Sequence, residues 1–280
     1  NIVISIFGDM KKFIFNTLIL FLLSVFGGGS VVAQVDFSLH LGGSMPLGSY
    51  ASSQCVHEVG GGNVAWNTES SNQAGAGLGI GLGWKIRINM PVVKGLGIII
   101  TGDYHYSYPS RDVKDYVAWK NTYDNNLFTS AGMSGVETIF EVPSYRNIPI
   151  ILGFDYERTI AKGISVYGEI GAGLNFFKPT RFESSISYTT PTEDSYIYQE
   201  YMTTMNYETT TSFAFQIGAG IKLSKYFSLG LHYYNLGYQR LKGNGSITSM
   251  YDDVYNADRI GFQGETLNPS MLVLKAGYHF

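Results

Sequence analysis

The sequence predicts an all-β fold: an eight-stranded antiparallel up-and-down transmembrane β-barrel with short periplasmic turns and long extracellular loops. Three observations carry that expectation. Eight runs alternate apolar and polar residues with the period of two that belongs to a strand. The connections between them alternate long and short along the chain. The last run, Met271 to Phe280, places Leu272, Leu274, Ala276, Tyr278 and Phe280 on one face. A closing strand of that kind must pair with the first one, because a sheet in hydrocarbon can leave no edge open.

The first strand is expected near Val35 to Leu47, with Val35, Phe37, Leu39 and Leu41 on one face and Asp36, Ser38 and His40 on the other. The second, Gly75 to Ile88, sets Leu78, Ile80, Leu82, Trp84 and Ile86 against a row of glycines ending in Lys85 and Arg87. Inward glycines leave room for large side chains from the opposite wall of a narrow barrel. The third, Leu96 to Tyr108, sets Ile98, Ile100, Tyr104 and Tyr106 against Thr101, Asp103, His105 and Ser107. The fourth, Asn147 to Glu157, carries Pro149 on its inward register, which marks a bulge or irregular pairing. The fifth to seventh are Ile164 to Phe177, Ser212 to Leu223 and Phe227 to Gly237. Aromatics near the strand ends (Trp84, Tyr104, Tyr106, Phe154, Tyr156, Phe176, Tyr233 and Tyr278) are expected to form interface girdles.

Three connections are short: Asn89 to Gly95, Arg158 to Gly163, and Ser224 to Tyr226. Four are long: Gly48 to Ala74, Pro109 to Arg146, Lys178 to Thr211, and Tyr238 to Pro269. A soluble sandwich has no reason to sort its loops in this way. A soluble lipocalin-like barrel would reverse the two faces. The third long connection is rich in Tyr and Thr, and is expected to extend the barrel outward as a hairpin. In the fourth, Gly243-Asn244-Gly245-Ser246 reads as a turn, and Tyr251-Asp252-Asp253 is too sparse for a calcium loop.

Bulk composition agrees with that class. Of 280 residues, 15% are charged and the formal net charge is -3, so no basic stripe is available for nucleic acid. A mean hydropathy of +0.02 is too polar for a bundle of spanning helices but suits strands that are apolar on one face. The single Cys55 excludes an intramolecular disulfide and reads as a free thiol in a loop. At the start, Met10-Lys11-Lys12, the apolar run Phe13 to Phe26 and Val31-Val32-Ala33 read as a cleaved signal peptide, residues 10–33. Residues 1–9 read as upstream sequence or a misassigned start, and residues 34–280 as the barrel domain.

Several packing motifs then fall into place: Leu41-Gly42-Gly43-Ser44-Met45-Pro46-Leu47-Gly48, Asn147-Ile148-Pro149-Ile150-Ile151-Leu152-Gly153-Phe154, Tyr167-Gly168-Glu169-Ile170-Gly171-Ala172-Gly173 and the ending Gly277-Tyr278-His279-Phe280. In these the chain resembles the small outer-membrane β-barrel family of porin-family or PorT-like proteins. The resemblance implies a location in the cell outer membrane, contact with its lipid and lipopolysaccharide, and handling by the barrel assembly machinery through the strand ending in Tyr278 and Phe280. It implies no shared catalytic residues.

The inward register collects Lys85, Arg87, Asp103, Glu169, Lys222 and Lys275, together with His40, His105, Asp155, Glu157 and His232. Eight strands enclose an interior just wide enough for side chains to fill, and buried charges need partners. The expectation is therefore a balanced ion-pair network filling the lumen, with Glu169 paired to Lys275 or Lys85, rather than an open conduit. Asp103, His105 and Ser107 share a face, but positions two apart on a strand lie ~6.8 Å from each other, too far for a nucleophile and its base. The scattered histidines offer no metal-ligand spacing. No catalytic residue, cofactor or metal is expected. The function read from the sequence is a structural or surface-binding role through the extracellular loops, with an unknown extracellular ligand. A narrow porin-like channel for small solutes and a secretion-accessory membrane component are the alternatives.

Overall fold

The computed structural model describes residues 34–51, 74–191, 196–251 and 254–280, and side chains within these except those of 196 and 254–265. The expected signal peptide, the stretch 1–9 before it, and Cys55 lie outside the described residues.

Eight antiparallel strands close on themselves. In chain order they are β1 (Val35–Pro46), β2 (Ala76–Asn89), β3 (Leu96–Pro109), β5 (Tyr145–Ala161), β6 (Ile164–Pro179), β9 (Thr210–Leu223), β10 (Phe227–Asn235) and β13 (Ser270–His279). Around the wall the order is β1-β13-β10-β9-β6-β5-β3-β2. All eight runs read from the sequence are strands of this barrel. The closure is β1 against β13, running from Ser38↔His279 to Pro46↔Met271, with the Phe280 amide donating to the Phe37 carbonyl at 3.0 Å.

Side-chain polarity is inverted relative to a soluble barrel. Leu78, Ile80 and Leu82 point out of the wall and are 72, 58 and 60% exposed, while Lys85 and Glu169 point inward and are 7 and 5% exposed. Leu41, Leu152, Ile170, Phe213, Leu231 and Leu274 continue the exposed apolar belt around the wall. Such a belt is stable only against hydrocarbon, which makes the fold a transmembrane barrel.

The short connections are tighter than expected at one point. Strand β5 runs on to Ala161 through an irregularity at Thr159, so only Lys162 and Gly163 separate it from β6. Pro149 faces inward and pairs with Asn175 of β6. On its other side the ladder to β3 lapses between Gly102↔Ile150 and His105↔Asn147 without changing register. The missing proline N–H interrupts the pairing but inserts no bulge. Aromatics gather at the closure: Phe280 lies 5.7 Å from Phe37 and 5.0 Å from Tyr278, which meets Phe227 at 5.4 Å. Trp84 departs from the girdle expectation. It lies inside β2, where its indole covers Gly102 of β3, so that packing on a bare glycine fixes it rather than the interface.

Among the described residues, three long connections build a second layer of structure at one end. They supply β4 (Ser134–Glu141), β7 (Phe182–Pro191), β8 (Tyr196–Tyr207), β11 (Gln239–Tyr251) and β12 (Val254–Leu267). These form one antiparallel sheet in the order β12-β11-β8-β7-β4. The outward hairpin expected between Lys178 and Thr211 is β7–β8, with Phe182↔Met205 and Tyr188↔Gln199 among its pairs. The turn expected at Gly243 to Ser246 is instead mid-strand in β11, which pairs with β12 from Gln239↔Leu267 to Tyr251↔Val254. Close packing explains the first of those glycines: a side chain on Gly243 would strike the Asn206 carbonyl on β8.

Among the described residues, two helices complete the end. The first, α1 (Gly48–Ala51), is one turn that buries Tyr50. The second, α2 (Arg111–Ser130), follows Pro109 directly. Ser110 caps it by accepting a hydrogen bond from the Val113 amide, 3.3 Å away, and Gly132 ends it with a φ of 85°. Its buried residues Val113 and Tyr116 face the barrel mouth and β4, with Tyr116 at 6.1 Å from Phe140. No helix among the described residues is long and apolar enough to cross a membrane.

Candidate functional site

The lumen holds two linked ion clusters. At the first, Lys85 Nζ donates to Glu169 Oε2 at 2.9 Å and lies 3.6 Å from Asp155 Oδ2. Asp155 also receives Arg87 Nε at 2.8 Å, and the rest of the Arg87 guanidinium is used by Asn89 and the Gly95 carbonyl. Glu169 takes a hydrogen bond from Gln216 at 3.0 Å and has His232 Nδ1 at 3.0 Å. At the second, Lys275 Nζ donates to both oxygens of Asp103, at 2.8 and 2.9 Å. The Tyr234 hydroxyl donates to Asp103 Oδ2 at 2.9 Å and lies 2.6 Å from Lys275 Nζ. Of the two partners considered for Glu169, the structure places Lys85 on it and gives Lys275 to Asp103.

Lys222 stands apart from both clusters. It faces Glu157 at 3.6 Å near the short-turn end. Tyr234, Gln216 and Tyr167, over whose ring Lys85 sits at 5.1 Å, were not singled out from the sequence. Their inward register was readable, but an inward Tyr or Gln carries no charge to mark it. Asp103 is held by Lys275 and Tyr234, and the His105 ring packs edge-on to Tyr234 at 5.4 Å.

The polar filling does not extend through the whole barrel, contrary to the expectation of a lumen filled by polar side chains. Toward the long-connection end, Ile151, Phe177, Ala214, Tyr234, Met271 and Val273 turn inward and join Tyr50, Tyr145, Leu236, Leu241 and Leu267 in one apolar core. The inward register there carries large apolar residues that alternation alone assigned to neither purpose. Tyr50 caps this core. It accepts a hydrogen bond from Asn147 Nδ2 at 3.1 Å and packs on Tyr145 at 5.6 Å. Burial pushes its phenol above the ordinary tyrosine value.

Two concavities stand out among the described residues. At the short-turn end a vestibule of about 850 Å³ is lined by Asp36, Arg87, Lys94, Tyr156, Glu157, Arg158, Lys222, Lys225, Tyr226, His279 and Phe280, among others. It narrows at Ser38, Lys85, Asp155 and Tyr167 to a neck of about 10 Å³, roughly the room of a single water. On the sheet, a groove of about 270 Å³ runs beside α2, lined by Phe128, Phe140, Ile186, Tyr201, Thr203 and Ile247. The ion pair of Lys120 with Asp124 borders it. Tyr188 packs beside the groove residues Phe128, at 4.9 Å, and Tyr201, at 6.4 Å. Burial, with Tyr201 beside it, raises its phenol above the ordinary value. No group of three or more His, Cys, Asp or Glu side chains among the described residues is placed to hold a metal.

No protein-family model and no curated protein matches the chain. Its architecture is similar to several solved outer-membrane proteins. A major outer membrane protein from Thermus thermophilus is 13% identical with a TM-score of 0.37, covering 88% of this chain and 100% of its own. The outer membrane protein OprG from Pseudomonas aeruginosa is 12% identical with a TM-score of 0.39, covering 89% and 97%. Ail, the attachment invasion locus protein of Yersinia pestis, is 11% identical with a TM-score of 0.33, covering 89% and 100%. The barrel itself stands on the chain's own strand pairing and on the polarity of its two faces.

Proposed function

We propose that this chain is an outer-membrane protein whose barrel anchors a recognition surface outside the cell. The observation that carries the reading is the joining of three long connections into one five-stranded sheet at a single end of the barrel. Connections that only had to close the barrel would need a few residues each, as the other end demonstrates. With short turns on the periplasmic side, that sheet projects from the cell surface. Helix α2 packs on β4, touches β7 through Phe128 and Tyr188, and leaves Tyr201, Ile247 and the groove beside them open. Tyrosine on a rigid strand supplies broad contact area at little entropic cost, which suits binding of an extracellular ligand.

In this reading the lumen is structural. Paired ions fill one half and an apolar core the other, so the barrel neither conducts small solutes nor performs catalysis. Lipid and lipopolysaccharide are its surroundings, and the strand ending in Tyr278 and Phe280 is its handle for barrel assembly. The test is conductance of the purified protein in planar bilayers. No steady openings are expected; steady openings of reproducible size would replace this reading with that of a narrow channel. Mass spectrometry of lipid A addresses catalysis separately: the wild-type chain and His105→Ala are expected to leave identical profiles.

A further inference from the structure

We infer that the vestibule at the short-turn end is a binding site for a multivalent phosphate-type oxyanion. Five cationic side chains line it, Arg87, Lys94, Arg158, Lys222 and Lys225, against two carboxylate side chains, Asp36 and Glu157. Both carboxylates are already engaged. Glu157 faces Lys222 at 3.6 Å. Asp36 receives Asn89 Nδ2 at 3.0 Å and lies 3.8 Å from Arg87 Nη1. Arg87 in turn is spent on Asp155. This leaves Lys94, Arg158 and Lys225, which make no ion pair among the described residues.

The three come from three different places in the chain: Lys94 from the β2–β3 turn, Arg158 from the end of β5 and Lys225 from the β9–β10 turn. They line one vestibule only because the barrel closes. Each of the three short connections, with the strand ends beside it, carries Lys or Arg, and the turns themselves hold no acid. The neck below is closed, so a ligand entering here is retained rather than passed on. A volume of about 850 Å³ is in the range of small-molecule sites. Two ammonium groups and a guanidinium favour an anion of charge two or more, with the guanidinium able to grip two oxygens at once. Tyr156, Tyr226 and Phe280 wall the site beside the membrane interface. A phosphate there can belong to a soluble molecule or to a lipid headgroup of the adjoining leaflet.

Pyrophosphate is the probe, titrated calorimetrically into the full chain in an uncharged maltoside detergent. Saturable binding is expected, falling by about tenfold or more in Lys94→Gln/Arg158→Gln/Lys225→Gln, since three charges at close range are lost. Lys162→Gln removes a cation from the same end that does not line the vestibule, and is expected to leave affinity unchanged. Heat-modifiable gel mobility checks that each variant is folded. Absence of saturable binding, or an equal loss in Lys162→Gln, would overturn the site in favour of diffuse attraction to a basic rim. Nanodiscs separate the two sources. If phosphatidylglycerol in a phosphatidylcholine disc weakens pyrophosphate binding relative to phosphatidylcholine alone, a headgroup occupies the vestibule. If it does not, the ligand is soluble.

Discussion

Glu169 is the residue on which the lumen turns, because Lys85, Gln216 and His232 all reach it from other strands. Removing one partner of a buried ion pair leaves the other charge uncompensated. Lys85→Met is therefore expected to lower stability in a urea titration by about 3–5 kcal/mol, with Lys85→Met/Glu169→Gln recovering part of the loss. A double variant as unstable as the sum of its singles would show the two residues to be uncoupled. The glycines give a second test. Gly173 faces inward, and a methyl group there would meet the Ile150 carbonyl and the Ile151 backbone. Gly43 faces outward, with nothing within 4 Å of where its methyl would lie. Gly173→Ala is expected to cost about 1–3 kcal/mol or more, and Gly43→Ala less than about 0.5 kcal/mol, by the same unfolding measurement.

At the scale of elements, the barrel strands and the outer sheet were unequally legible. Each barrel strand separates hydrocarbon from lumen, so its sequence must alternate, and all eight runs were readable. Pro149 was legible as a disturbance, though it breaks hydrogen bonds to β3 rather than shifting the strand. Strand β7 of the outer sheet is half-buried on both faces, and its run Phe182-Glu183-Ser184-Ser185-Ile186-Ser187 carries too few apolar residues to mark one face. Its hairpin could be read from Tyr and Thr content, but its joining to β11 and β4 could not. Gly243 and Gly245 looked like a turn because nothing local says that another backbone approaches them. The second half of helix α2 opens with Asn121-Thr122-Tyr123-Asp124-Asn125-Asn126, a polar stretch without helical periodicity. The helix depends instead on its cap and on Tyr116 and Val113. Ser110→Ala is expected to speed hydrogen exchange along α2 at a cost of about 0.5–2 kcal/mol, without altering protection of the barrel strands. Equal acceleration in β3 would show the helix and wall to be one cooperative unit.

Across the whole molecule, the candidate site was legible in part. The charged residues of the lumen could be collected from their register, and closure of the barrel decides which of them meet. Lys275 and Asp103 are 172 positions apart and come together across the lumen. The apolar upper half was hidden because Met271, Val273 and Phe177 occupy a register that the lower half uses for ions. The vestibule depends on two turns and several strand ends brought to one rim by closure of the barrel, which no local pattern encodes. What unites these features is a single assignment: hydrocarbon outside the wall, ions and core within it.

Site-directed nitroxide labels measure that assignment most directly. With Cys55 replaced, single cysteines at Leu78, Ile80, Leu82 and Lys222 are labelled in lipid bilayers, and collision rates with oxygen and with a water-soluble nickel chelate are compared. Labels at Leu78, Ile80 and Leu82 are expected to favour oxygen, as lipid-facing sites do, with Lys222, which lines the vestibule, favouring the nickel chelate. Preferential collision with nickel at Ile80 and Leu82, or no difference between them and Lys222, would contradict a wall that meets the membrane through this face.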